Sequence, residues 1–202
     1  MTNLSIVIPV RNEAGNIIAL VNSIDSALAV HAPFEIIVVD DGSTDDTAQR
    51  VADRARTMQH LRLIRHDRSG GQSAAVHTGV LAALAPLVCT LDGDGQNPPE
   101  ELPNIAAPLL ADLTGRIGLV AGQRVGRRDT LSKRLASRIA NAIRGWLLQD
   151  GTRDTGCGLK AFRRDAFLAL PYFNHMHRYL PALFARDGWD IRFIDVTHRA
   201  RG

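Results

Sequence analysis

No apolar run in the chain approaches the ~18 residues that would suggest a membrane span. Its 202 residues include only two cysteines, Cys89 and Cys157. They show no CxxC or Cys/His spacing, which excludes a zinc site or a disulfide framework as the organising device. Met1 to Val10 has no basic leader, so no signal peptide is expected and a reducing cytosol is the default compartment. Lysine is nearly absent, at positions 133 and 160 only, so arginine supplies almost all the positive charge. Its planar fork suits bidentate phosphate contacts. Repeats, low-complexity tracts and long linkers are missing too, as is any evident Ser/His/Asp or Cys/His arrangement for nucleophilic catalysis. What is present is ordinary for a globular chain: 45% hydrophobic and 22% charged residues, enough for one large domain or one with an appended lobe. The net charge is +3, but the sequence pI near 9.3 reflects basic residues that are unevenly placed.

Leu4 to Val10 and Phe34 to Val39 are apolar, β-rich runs, the second of the kind buried on both faces in parallel sheets. Leu61 to Ile64, Leu87 to Leu91 and Ile117 to Val125 predict three more strands, and Asp190 to Val196 a last one. Between the early strands, Ile17, Leu20, Val21, Ile24 and Leu28 recur at helical spacing. Ser43 with Asp46 reads as a capping box opening a helix over 44–58. Further helices are expected over 72–85, from Pro99, and from about His175 to Arg186. Alternation of strand and helix predicts an α/β fold with an open, mostly parallel sheet flanked by helices. In such sheets ligands sit beyond the carboxyl ends of the strands. Glu13, Asp41, Asp92, Asp94 and Arg124 all fall at strand ends and should share one rim.

The sharpest local signal is Leu91-Asp92-Gly93-Asp94-Gly95-Gln96. Alternate residues of an extended chain point the same way, so Asp92 and Asp94 can converge. Two carboxylates held together repel unless a cation lies between them, and a hard divalent ion sharing phosphate oxygens is the natural partner. The bland reading is a solvated Asp-Gly turn. Beyond Val125 the chain becomes basic, with Arg127, Arg128, Lys133, Arg134, Arg138 and Arg144, while Leu131, Leu135, Ile139, Ile143 and Leu147 form an apolar stripe. That pattern reads either as a surface for phosphate or an anionic membrane, or as the solvated face of a packed helix. His175, His177 and His198 lack companion ligands and are expected at the surface or in packing.

Ile8-Pro9-Val10-Arg11-Asn12-Glu13, Val39-Asp40-Asp41-Gly42-Ser43 and Leu91-Asp92-Gly93-Asp94-Gly95-Gln96, in that order at strand ends, resemble the family-2 glycosyltransferases of GT-A fold. Pro98-Pro99-Glu100, Gly122-Gln123-Arg124 and Gly158-Leu159-Lys160-Ala161-Phe162-Arg163 narrow the likeness to dolichyl- and polyprenyl-phosphate glycosyltransferases. The resemblance implies a nucleotide-sugar-binding half over 1–125 and a basic, acceptor-side half over 126–202 of one catalytic domain. Pro9, Glu13 and Asp41 would line the base and ribose pocket. Asp92, Asp94 and Gln96 would hold Mg²⁺ or Mn²⁺ on the diphosphate, with Gly93 close by. Arg124 would contact donor phosphates, Asp154 would orient the reacting groups, and Lys133, Arg134 and Arg138 would face the lipid phosphate. Either Arg199 or Arg201 matches a phosphate-contacting arginine. The implied donor is a GDP- or UDP-sugar and the implied acceptor a polyprenyl phosphate. Many relatives carry membrane helices, so a membrane surface or separate membrane subunit is the implied partner, with no nucleic acid, at the cytoplasmic face. A saccharide hydroxyl acceptor, an aspartyl-nucleophile phosphohydrolase and a non-catalytic nucleotide-binding scaffold are the competing readings. The phosphohydrolase pattern belongs on a first strand and is followed by Thr or Val, whereas here the turn falls mid-chain before Gln96.

Overall fold

A computed structural model describes residues 2–31, 33–125, 154, 156–197 and 199. Within them the chain runs β1 (Leu4–Val10), α1 (Ile17–Leu28), β2 (Phe34–Asp40), α2 (Thr47–Ala55), β3 (Leu61–Arg65), α3 (Gln72–Ala82) and β4 (Leu87–Thr90). A 3-10 turn (Pro99–Glu101), α4 (Leu102–Leu110), β5 (Ile117–Arg124), β6 (Lys160–Arg163) and α5 (Arg164–Leu168) follow. A second 3-10 turn (Met176–Arg178), α6 (Leu180–Arg186) and β7 (Asp190–Val196) complete it.

The strands form one seven-stranded sheet in the order β3-β2-β1-β4-β6-β5-β7. β1 pairs in parallel with β2 and β4, β2 with β3, and β5 with β7, while β6 runs antiparallel to both β4 and β5. Period-2 alternation splits β1 between two cores. Leu4, Ile6, Ile8 and Val10 pack with α1, α2 and α4 through Ile17, Val21, Ile24, Val51 and Ile105. Val7 faces the other layer, where Ala75, Val76 and Val80 of α3 meet Phe162, Phe167 and Phe184. Helices therefore cover both faces, which is why β1 and β2 read as continuous apolar runs.

Three local expectations are corrected. Ser43 does not cap α2, which begins at Thr47 with no side-chain cap from Asp46. The Ser43 hydroxyl accepts the Asn12 N–H instead, and the Asp45 carboxylate takes the Thr47 N–H and hydroxyl. α3 stops at Ala82, short of Ala85, because the next turn is pinned elsewhere: Leu84 N–H donates to buried Glu35 and Ala85 N–H to Ser5 Oγ. The helix expected from His175 is broken into a 3-10 turn and α6. His175 takes a left-handed backbone (φ 67°), and Pro181 sits in the first turn of α6, where a missing N–H costs nothing. β6, hidden in a glycine-broken stretch, was not expected from sequence.

Candidate active site

The chain goes from β1 out to β3 and then returns across β1 to β4. The β1/β4 boundary is therefore the switch point at which an open α/β sheet leaves a crevice. A cleft of about 470 Å³ lies there. Glu13, Asp41, Asp92 and Asp94 all line it, as do Pro9 and Gly93. Because β6 is antiparallel, its first residue, Lys160, arrives at the same end as the carboxyl termini of β1 and β4 and lies opposite Thr90. Lys160 is buried and also lines the cleft.

Two glycines let the chain close around the carboxylates. A Cβ on Gly93 would stand 2.4 Å from Val10 Cγ1, so the turn after β4 leans directly on β1. A Cβ on Gly158 would meet the Asp92 carboxylate at 2.2 Å. Asp92 is fixed by Gln72 Nε2 (2.7 Å) and, at longer range, Asn97 Nδ2 (3.4 Å). Burial raises its pKa, the buried Lys160 ammonium opposes that, and the Asp94 charge adds to the rise. Asp94 accepts the Gln96 backbone N–H at 3.1 Å, which forms the turn Asp94–Gln96. Burial likewise pushes Lys160 down, and its Nζ donates to the Cys157 carbonyl.

A divalent cation fits this pair. The donors are oxygens only, and the Asp92–Asp94 repulsion is of the kind a cation relieves. Among the described residues no group of three His, Cys, Asp or Glu side chains makes a protein cage, so two carboxylates would share the ion with ligand oxygens. Gln96 is in the same turn, where its backbone N–H is already used by Asp94 and its carbonyl accepts the Arg199 N–H.

Asp41 spends its acceptors on the protein. His66 Nδ1 and the Gly70 N–H reach one oxygen, Ser69 Oγ and the Gly71 N–H the other, at 2.6–2.8 Å. These contacts outweigh the effect of burial, the largest single influence, and hold its pKa down to about 2. Four bonds account for the lone pairs of an ionised carboxylate. Asp41 thus straps the segment 66–71 across the cleft wall. Glu13 accepts from Asn16 Nδ2, and its own N–H donates to Thr47 Oγ1.

Arg124 and Asp154 meet each other rather than the cleft. Nε–Oδ2 is 2.6 Å and Nη2–Oδ1 2.9 Å, a bidentate pair that raises the arginine pKa and, despite burial, lowers that of the aspartate. The Arg199 guanidinium pairs with Glu100 at 3.1 Å. Lys133, Arg134, Arg138 and Arg201 lie outside the described residues. Gln72, Lys160 and His177 line the cleft without having been site candidates; His177, expected at the surface or in packing, has its Nδ1 2.7 Å from Ser73 Oγ. The contact joins positions 104 apart, which no local pattern reveals.

The family model "Glycosyl transferase family 2" matches residues 5–170. The chain is 34% identical to an undecaprenyl-phosphate 4-deoxy-4-formamido-L-arabinose transferase of Pectobacterium carotovorum, covering 98% of this chain and 60% of that protein. It is also 34% identical to a dodecaprenyl-phosphate galacturonate synthase of Rhizobium johnstonii, covering 98% and 59%. It thus spans about three-fifths of the length of these relatives. Among solved structures, Mycobacterium tuberculosis glucosyl-3-phosphoglycerate synthase bound to UDP superposes with a TM-score of 0.76 at 25% identity, covering all of this chain and 72% of that one. The same synthase has been captured with Mn²⁺, UDP and glucosyl-3-phosphoglycerate (TM-score 0.74, 25% identity, 100% and 73% covered). A switch-point cleft with paired carboxylates, a family model covering most of the chain and relatives a third identical along nearly all of it lead to one conclusion: this chain belongs to glycosyl transferase family 2 and has the GT-A fold.

Proposed function

We propose that the protein moves a sugar from a GDP- or UDP-linked donor to a polyprenyl phosphate, with inversion, at the cytoplasmic face of a membrane. The observation that carries this reading is the Asp92/Asp94 pair at the mouth of the switch-point cleft. The names of the polyprenyl-phosphate relatives supply the acceptor class. Asp92 and Asp94, with Gln96 beside them, would hold Mg²⁺ or Mn²⁺, which when bound supplies Lewis-acid neutralisation of charge on the leaving diphosphate. Pro9, Glu13 and the Asp41-strapped wall bind the nucleoside. Gln72 and Asn97 keep the Asp92 carboxylate oriented. Lys133, Arg134 and Arg138, with Arg199 or Arg201, contact the acceptor phosphate. Arg124, paired with Asp154 outside the cleft lining, would serve the donor phosphates, and Asp154 would orient the reacting groups, only once the two side chains turn from each other towards the ligand.

An acceptor phosphate oxygen attacks the anomeric carbon while the bond from that carbon to the diphosphate oxygen breaks. The second pKa of a phosphomonoester is near ~6, so the nucleophile is largely ionised at neutral pH and no proton has to be removed. A saccharide hydroxyl would instead require a general base. No helix among the described residues is long and apolar enough to cross a membrane.

The test is transfer of labelled sugar from a panel of UDP- and GDP-sugars into butanol-extractable prenyl phosphate with Mn²⁺ or Mg²⁺. The Asp92→Asn, Asp94→Asn double variant and chelated wild type should each lose at least about a hundredfold, the scale of removing one preorganised electrostatic contact. Undiminished transfer by either would overturn the metal assignment. Equal transfer to 3-phosphoglycerate or to free sugars would overturn the lipid acceptor.

A further inference from the structure

His177 belongs to the 3-10 turn Met176–Arg178, and the reaction as derived above does not use it. Its Nδ1 sits 2.7 Å from Ser73 Oγ, in the first turn of α3. The same hydroxyl oxygen receives the His177 backbone N–H at 3.5 Å, and on that ground we assign the serine proton to Nδ1. A ring that accepts at Nδ1 carries its own proton on Nε2. Ser73 is fully buried while His177 lines the cleft, so the ring is anchored from behind. Nε2 has no protein partner among the described residues.

Burial, together with the neighbouring charges of Lys160 and Arg178, pushes His177 down to about 4, so the imidazole is uncharged at neutral pH. An uncharged N–H suits a sugar hydroxyl better than a phosphate, for which Arg11 and Arg178 stand in the same cleft. The placement agrees. Gln72, which holds Asp92, and Ser73, which holds His177, are consecutive residues of α3, so the ring and the donor-site carboxylate are set by one helical turn.

We propose that His177 is a further substrate-contacting residue, its Nε2–H donating to a hydroxyl of the transferred sugar, with Ser73 as the positioning residue behind it. The inference rests on reading the cleft as a nucleotide-sugar site. The probes are the tightest-binding member of a UDP- and GDP-sugar panel and its matching nucleoside diphosphate, titrated calorimetrically with Mn²⁺. His177→Ala should weaken the nucleotide-sugar about tenfold and the nucleoside diphosphate less than about twofold. Ser73→Ala should weaken the sugar-bearing ligand by about threefold, and His177→Asn, which restores an uncharged N–H donor, should recover most of the loss. Wild-type affinity for the nucleotide-sugar, which has no terminal phosphate to titrate, should stay flat from pH 6 to 8. Equal weakening of both ligands, no weakening, or a limb between pH 6 and 7 overturns the assignment. If His177→Ala does not fold, Ser73→Ala still separates the two ligands. Wild type that binds neither ligand defeats the donor-site reading and this inference together. Wild type that binds both, with variants that do not discriminate between them, defeats this inference alone.

Discussion

Asp41 shows how a single side chain can be both a cleft residue and a fastener. Its folded pKa of about 2 lies below the ~3.9 of an unfolded aspartate, so its stabilisation is complete above about pH 5 and drains away as pH falls through 4 towards 2. The shift corresponds to about 2 kcal/mol. Asp41→Asn should therefore be less stable than wild type by about that much at pH 7. The gap should shrink to about 1 kcal/mol by pH 2.5 and close only below about pH 2 in urea unfolding series. A gap independent of pH would mean that the four hydrogen bonds do not depend on the carboxylate charge. Gly158 makes the complementary case. Any side chain there collides with Asp92, so Gly158→Ala should cut Mn²⁺ affinity by tenfold or more while circular dichroism stays native-like. Asp92 and Asp94 were legible in the sequence because their spacing alone orients them. The role of Asp41 as a strap was not, since its partners at 66–71 come from a segment that sequence reads only as a loop before a helix.

Among the elements, α3 packs close onto the sheet. A Cβ at Gly79 would lie 2.3 Å from Val7 Cγ1, so the helix axis approaches β1 more closely than any larger residue permits. Gly79→Ala gains up to about 1 kcal/mol of helix propensity but incurs roughly 1–3 kcal/mol of overpacking. The net expectation is a lowered melting temperature, read by calorimetry. At the far end of the same helix, Glu35 gathers Ser5 Oγ, Arg62 and the Leu84 N–H. Arg62 is partly exposed and can be rehydrated, but Ser5 and the turn cannot, so Glu35→Ala should cost about 2–3 kcal/mol. The strands that sequence reveals are those with uninterrupted β-branched residues, such as β1 and β2. β6 escaped because Lys-Ala-Phe-Arg is four residues long, follows closely on two glycines, Gly156 and Gly158, and owes its extended shape to pairing on both sides. The supposed cap at Ser43 failed for a related reason: its hydroxyl is claimed by Asn12, from another loop.

Across the whole molecule, β6 is the stitch between chain order and spatial order. β5 touches the rest of the sheet only through β6 and β7. A fragment of residues 1–125 should therefore keep β5 unpaired and susceptible to limited proteolysis. Co-expression with 126–202 should restore protection. Protection of β5 in the first fragment alone would show that β4 can recruit it directly. The division at 125, natural in the sequence because the charge pattern changes there, does not divide the sheet.

The same stitch sets a schedule for synthesis. As the chain leaves the ribosome, β1 to β4 can assemble as soon as Thr90 is clear, but the open side of β4 must wait for roughly 70 further residues, several seconds at ~5–20 residues per second. During that interval a buried-type strand edge and the apolar residues of β5 are both exposed, the condition under which nascent chains pair with one another. The open side of β4 is covered once Lys160–Arg163 emerges, and β5 gains its second neighbour only with Asp190–Val196.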